Sequence, residues 1–325
     1  MIQQTIPLYE NRSDVTLTTY VLANSAEMLN GKKRPAVLIC PGGAYLNCSD
    51  REAEPVALRF AAMGYHAFVL RYSVYFEGRP SPFPPPKEMP VNPHSVHPGP
   101  MRDIAQAFLT IRAHADLWLV DTSRIALCGF SAGAHNCAMY SVYWQDPVLS
   151  EYFQADPAVF RPAAAILAYG VLDYHLMFGE IIDPFAQELS KAAAIALMGT
   201  PTPTPDLLDI LSPTRHVTKN APPTFLWATV GDGLVPVENT TRMATALAQA
   251  GVPFEVHIFE QGDHGLSLAD QSTAGSLYQV DADVEKWADL AKVWLHKRFA
   301  LPLPARPAWL DELEALKNSR PESTQ

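Results

Sequence analysis

No run of basic residues longer than Lys32-Lys33-Arg34 occurs in the 325-residue chain, and its formal net charge is −10. That balance speaks against an extended nucleic-acid surface. No apolar stretch is long enough to cross a bilayer, so no membrane partner is expected. The opening residues, Met1 to Thr5, are neither basic nor apolar, and no secretory signal is expected from them. Cysteine is scarce: Cys40, Cys48, Cys128 and Cys137 are all there are, and none has a zinc-like pairing. Cys40 and Cys128 lie in apolar, strand-like runs and read as small core residues. Together these absences point to a soluble protein of a reducing cytoplasm. What is plentiful is apolar residues, at 48% of the chain, enough for a sizeable core.

The stretch around which the rest is organised is Arg124 to His135. It begins as a short apolar run that reads as a buried strand. It passes through Gly129-Phe130-Ser131-Ala132-Gly133 and continues into a helix-compatible segment, Ala134 to Trp144. A small-residue turn with an incidental serine would use similar letters, but strand, G-x-S-x-G and helix in that order give the pattern its meaning. The middle residue of so sharp a turn is held in a strained conformation with its hydroxyl in the open. The next amide, that of Ala132, lies at a helix start and is placed to donate to a developing oxyanion.

Thr5 to Tyr9 and Val15 to Leu22 alternate about a polar turn and read as an N-terminal hairpin over 5–22. Pro35 to Cys40 is a continuous apolar run, as in a strand covered on both faces, and it ends in Pro41-Gly42-Gly43-Ala44-Tyr45. A Gly-Gly pair there lets backbone amides turn toward a bound group. Glu52 to Met63 has helical spacing, and His66 to Tyr72 is the next strand. Gly78 to Pro100 holds nine of the 29 prolines and reads as a long loop over the sheet's carboxyl end. Its His94 and His97 lack companions at metal-ligand spacing and read as loop histidines.

Met101 to Ala115 has a helical apolar face, with Asp103 in its first turn, where a carboxylate suits the dipole. Pro162 to Tyr169 is another strand. Residues 172–212 break the pattern, with short helical pieces around Asp173–Glu180 and Pro184–Leu197, and read as an insertion capping the site. Pro223 to Val230 and Phe254 to Glu260 are the last strands. Glu238 to Gly251 and Asp281 to Phe299 are helices, and 301–325 is a proline-broken tail with a helical patch from Trp309 to Leu316. Alternating strands and helices give one α/β domain with a doubly wound, mostly parallel sheet and a core over about 35–299.

In such sheets ligands bind at the carboxyl ends of strands, and Gly43, Ser131, Asp232 and His264 all follow strand ends. A serine hydroxyl needs a base, and the base needs a partner that fixes its tautomer. His264, in Gly262-Asp263-His264-Gly265, is the best base. Asp232 is the best orienting acid, giving the chain order Ser, Asp, His. Glu238 is the second choice, at a helix start where capping explains it. His135 lies one turn past the serine and suits packing or hydrogen bonding. His257 lies within a strand, and Asp263 sits beside His264, too close in sequence to face it. His175 and His216, in or beside the insertion, are in reach of a substrate. The amides of Gly43 and Ala132, with Ala44 as a third candidate, would form the oxyanion hole, each donor contributing about 3 kcal/mol. No metal or cofactor is expected.

At these residues the sequence resembles the bacterial acetyl-xylan-esterase-like and lipase/esterase-like serine hydrolases of the α/β-hydrolase superfamily. The motifs are Pro41-Gly42-Gly43-Ala44-Tyr45, Gly129 to His135, Asp232 to Asn239 and Gly262-Asp263-His264-Gly265-Leu266. Proline stands where the first histidine of the family's H-G-G-G pattern belongs, and Ala134 where a third glycine often follows the nucleophile. Neither departure removes a catalytic group. The resemblance implies an α/β-hydrolase fold and a serine carboxylesterase for short acyl chains, with acetyl groups on carbohydrates among its substrates. A peptidase- or formamidase-like hydrolase with the same triad, and a noncatalytic ligand-binding protein on the same fold, are the competing expectations.

Overall fold

Arg34–Cys40 form a strand in which every residue is buried. The computed structural model describes residues 1–179 and 184–319. This strand, β3, lies inside an eight-stranded sheet with β1 (Thr5–Tyr9), β2 (Arg12–Tyr20), β4 (His66–Arg71), β5 (Val120–Phe130), β6 (Ala164–Ala168), β7 (Thr224–Thr229) and β8 (Phe254–Phe259). The spatial order is β1-β2-β4-β3-β5-β6-β7-β8. From β4 to β8 every pairing is parallel, whereas β2 runs antiparallel to both β1 and β4. This is an α/β-hydrolase fold, an open and mostly parallel sheet with helices on both faces.

The helices are α1 (Glu54–Ala62), α2 (Gly99–Ala113), α3 (Ala132–Tyr143), α4 (Pro147–Phe153), α5 (Tyr174–Met177), α6 (Pro184–Met198), α7 (Pro205–Ile210), α8 (Glu238–Gln249), α9 (Trp287–His296) and α10 (Ala308–Asn318). Successive side chains of β3 point to opposite faces. Val37 and Ile39 pack in the cluster that includes Val56 and Phe60 of α1 and Trp294 of α9. Leu38 and Cys40 pack in the cluster that includes Phe108 of α2, Cys137 of α3 and Leu247 of α8. Both faces are therefore covered, which is why the inner strands are continuous apolar runs rather than alternating ones. Among the described residues no helix is long and apolar enough to cross a membrane.

Several boundaries differ from the sequence expectation for identifiable reasons. Helix α2 starts at Gly99, inside the proline-rich span, because Pro100 sits in its first turn, where a missing N–H costs nothing. Helices α4 and α7 were hidden by the prolines that begin them. Asp146 caps Pro147 onward and Thr204 caps Pro205 onward, each accepting a backbone N–H. The final core helix is shorter than Asp281–Phe299, being preceded by a single 3-10 turn, Val284–Lys286. Asp103 is not a dipole partner. Its carboxylate is buried and accepts the Tyr9 hydroxyl at 2.8 Å and the Ser73 N–H at 2.7 Å, tying β1 and the chain after β4 to α2. Glu180, the end of an expected helical piece, and the last residues of the tail, 320–325, lie outside the described residues.

Candidate active site

Strand β5 delivers Ser131 directly into α3, and the turn between them is cramped. Ser131 holds φ 50° and ψ −118°, a conformation that costs energy for a residue with a side chain. The cramping has a visible cause. A Cβ at Gly129 would lie 2.4 Å from the Gly133 carbonyl oxygen, and one at Gly133 only 2.0 Å from that of Cys40. The motif's two glycines therefore let strand, helix and β3 approach closely enough to push the serine outward.

His264 lies in the loop after β8 and Asp232 in the loop after β7. The Ser131 hydroxyl is 2.8 Å from His264 Nε2, and His264 Nδ1 is 2.7 Å from Asp232 Oδ2. A carboxylate can only accept, so Nδ1 carries the proton and Nε2 is free to accept from the serine. Asp232 is itself fixed. Its other oxygen accepts the N–H groups of Leu234 and Val235, both at 2.9 Å, and its side chain is 1% exposed. The edge-to-face ring of Tyr169, with centroids 5.1 Å apart, supports the imidazole.

The loop after β3 runs alongside the serine. A Cβ at Gly42 would meet that of Ser131 at 2.8 Å. Three successive residues, Gly43, Ala44 and Tyr45, have φ of 128°, 55° and 60°. Ala44 and Ala132 border the same cavity as Ser131, and Gly43 and Ala44 border the neighbouring groove. All three candidate oxyanion residues thus border a space that Ser131 also borders.

Two spaces meet at Ser131. One is a narrow apolar cavity of about 40 Å³, walled by Tyr174, Met177, Phe178, Leu189 and Val235. The other is an open groove of about 370 Å³ that includes Asn47, Ser49, Arg51, Phe83 and His264. Residues of the 172–212 segment supply part of the first wall and the proline-rich loop part of the second. Phe83 and Phe185, one from each, bring their rings within 5.2 Å. Larger clefts of about 570 and 530 Å³ exist elsewhere, but Ser131, Asp232 and His264 line neither of them.

Other sequence candidates sit apart from this centre. Glu238 begins α8. His257 contacts Glu255 at 3.0 Å. His175 contacts the Asp209 carboxylate at 2.6 Å, and His216 donates to the Asp209 carbonyl at 2.8 Å. Both bind the insertion together, and neither lines the cavity or groove at Ser131. His135 is buried, with Nδ1 2.6 Å from the Tyr45 hydroxyl and Nε2 2.8 Å from the Leu211 carbonyl. Sequence reasoning missed Glu52, a buried carboxylate beneath the loop after β3. It looked like a helix start, and its spatial partners are scattered along the chain. Among the described residues no cluster of three or more His, Cys, Asp or Glu is arranged to hold a metal.

The fold and the serine, histidine and acid at its strand ends define the class, an α/β-hydrolase-type enzyme. Residues 89–247 match the family model BD-FAE. An acetyl ester-xyloside bifunctional hydrolase from Caldicellulosiruptor lactoaceticus superposes with a TM-score of 0.69 at 30% identity, over 90% of this chain and 96% of that one. A carboxylesterase from Lactobacillus plantarum gives a TM-score of 0.73 at 28% identity, over 93% and 99%. The curated relative endo-1,4-β-xylanase B of Butyrivibrio fibrisolvens is 31% identical over 238 residues, 73% of this chain and 33% of that protein. The chain spans 33% to 57% of the length of the curated relatives it matches. The chain belongs to the α/β-hydrolases, in the group of carboxylesterases and acetyl-xylan-esterase-like hydrolases.

Proposed function

We propose that the chain is a serine carboxylesterase that removes short acyl groups, acetyl foremost, from small-molecule or carbohydrate alcohols. Ser131 is the nucleophile, His264 the general base and then acid, and Asp232 the group that fixes the imidazole. The observation that carries this is the pair of contacts made by one ring, 2.8 Å to Ser131 Oγ and 2.7 Å to Asp232 Oδ2. His264 takes the serine proton as Oγ attacks the ester carbonyl, and the amides of Gly43, Ala44 and Ala132 hold the negative oxygen. The protonated imidazole then gives its proton to the departing alcohol. Water, activated by the same nitrogen, releases the acid and restores Ser131. No cofactor enters the scheme.

The two spaces beside Ser131 support the substrate assignment. The apolar cavity of about 40 Å³ is small and walled by Met177, Phe178 and Leu189, which suits a short acyl group. The groove of about 370 Å³, with Asn47, Ser49, Arg51 and Ser81, suits a bulkier polar alcohol such as a sugar. The bifunctional hydrolase similar to this chain is named for an acetyl ester and a xyloside, which favours the carbohydrate side. Four free cysteines support a reducing compartment, the cytoplasm. The test is turnover of p-nitrophenyl acetate and of acetylated xylose by the wild type and by Ser131→Ala. Turnover should vanish in the variant, and retention of most of it would refute the assignment.

A further inference from the structure

One buried carboxylate that the proposed chemistry does not use touches both halves of the site. Glu52 is 4% exposed and lies in the single turn Asp50–Glu52 before α1. Its Oε2 accepts the Gly42 N–H at 2.7 Å. Its Oε1 accepts the Tyr169 hydroxyl at 2.6 Å. Tyr169 in turn accepts the Ser267 N–H at 3.0 Å and sets its ring edge-on against His264. Tyr169 holds a φ of 37° at the end of β6, another strained position.

The neighbours of Glu52 repeat the pattern. Ser49 donates its N–H to the Gly42 carbonyl at 2.9 Å. Arg51 donates to the Gly265 carbonyl at 2.9 Å, and Ser267 Oγ donates to the Arg51 carbonyl at 2.7 Å. The turn 49–52 is thus bonded on one side to the loop that precedes Gly43 and on the other to the loop that carries His264. Left-handed backbone at Ala44 and Tyr45 is not self-sustaining and persists only where the surroundings over-determine it. Gly42 is the residue at which that segment starts. Burying a carboxylate there is costly unless both oxygens are occupied, as they are.

We infer that Glu52 is a positioning residue, a buried tether that helps set the distance between the oxyanion loop and the imidazole. The inference rests on the assignment of Ser131, His264 and the Gly43–Ala44 amides above. Loss of the tether displaces donors that act on the transition state, so kcat falls and KM does not.

The test compares Glu52→Ala, Glu52→Gln and Tyr169→Phe by kcat and KM on p-nitrophenyl acetate, per active site titrated to completion with a fluorophosphonate. Each assay is run well below that variant's own Tm. Glu52→Ala should lose about tenfold to 100-fold in kcat, short of the 10²–10³-fold that accompanies outright removal of one oxyanion donor. Its KM should stay within about twofold, and its affinity for a boronic acid that mimics the tetrahedral state should fall in parallel with kcat. Glu52→Gln keeps an acceptor for Gly42 and should recover most of the rate. Tyr169→Phe should fall between. A titrated kcat for Glu52→Ala within twofold of wild type would overturn the inference, as would a Glu52→Gln variant as slow as Glu52→Ala. Should Ser131→Ala remain active, the assignment of the site fails instead, whatever Glu52 does.

Discussion

The Tyr45 hydroxyl donates to Nδ1 of His135 over 2.6 Å, and both side chains are buried. Burial pushes the His135 pKa down to about 3, so the ring is neutral, and its Nε2–H donates to the Leu211 carbonyl at 2.8 Å. One imidazole therefore joins the strained loop beside Ser131 to α3 and to the end of the 172–212 insertion. Tyr45→Phe removes the donor and leaves a buried nitrogen without a partner, at a cost of about 1–3 kcal/mol. Urea denaturation should read that loss as a lower midpoint with an unchanged slope. A midpoint equal to wild type would show that the bond contributes nothing net.

Asp232→Asn keeps the shape of the acid but presents an amide to His264 Nδ1. The amide can donate where the carboxylate only accepted, and the ring is driven toward the tautomer with its proton on Nε2. That nitrogen then has no lone pair for the serine. The expected fall in kcat is about 10⁴-fold at neutral pH, the scale seen when an orienting acid is neutralised in other triads. Steady-state assays on p-nitrophenyl acetate check it, and a loss under tenfold would mean that Glu238 or another acid orients the ring.

Acyl length should be set by the wall of the small cavity. Wild-type kcat/KM is expected to fall steeply from acetyl and propionyl to octanoyl p-nitrophenyl esters. Met177 and Leu189 line the cavity, and truncating either to alanine removes several methylene-sized groups. Met177→Ala should raise the butyryl-to-acetyl ratio of kcat/KM by about 10-fold, since one extra methylene in an apolar pocket is worth about 1–3 kcal/mol. An unchanged ratio would place the acyl group in the other groove.

Stability should decline in mild acid. Burial lowers the pKa of His66 and His97 to about 4 and of His135 to about 3, and raises that of Asp103 to about 6. Below pH 6.5 the unfolded chain protonates all three histidines and the folded one does not. Each therefore subtracts about 1.4 kcal/mol per pH unit until its folded value is reached. Asp103 has the opposite sign, because its raised value favours the folded state at low pH and that contribution is lost as pH rises through about 6. From pH 6 to pH 4 the net decline is about 2.8 kcal/mol per unit. Asp103→Asn deletes the opposing share and should make the decline about 1.5 times as steep in chemical denaturation at stepped pH.

What was legible in the sequence had a local cause. Ser131, Asp232 and His264 each follow an apolar run within two to five residues, and glycine marks each turn, so strand ends located all three before their convergence was visible. The parallel sheet was legible for the same reason, since doubly covered strands are apolar throughout. What stayed hidden depends on distant partners. Asp103 reaches Tyr9, 94 positions away, and Glu52 reaches Tyr169, 117 positions away. No spacing rule spans such distances. The helix-start reading of both acids was reasonable locally and gave way to tertiary hydrogen bonding. His175 and His216 read as within reach of a substrate because they belong to or flank the 172–212 segment, whereas that segment folds back so that Asp209 engages both.

Every reacting atom in the proposed scheme hangs from the end of β3, β5, β7 or β8, or from the first turn of α3. Two excursions, 78–98 and 172–212, whose described residues contribute no strand to the sheet, supply part of the cavity and groove walls. Machinery and menu are consequently written in separate parts of the gene product. Under that scheme a descendant could trade one ester for another by redrafting either excursion while the sheet that holds Ser131, Asp232 and His264 stays as it is.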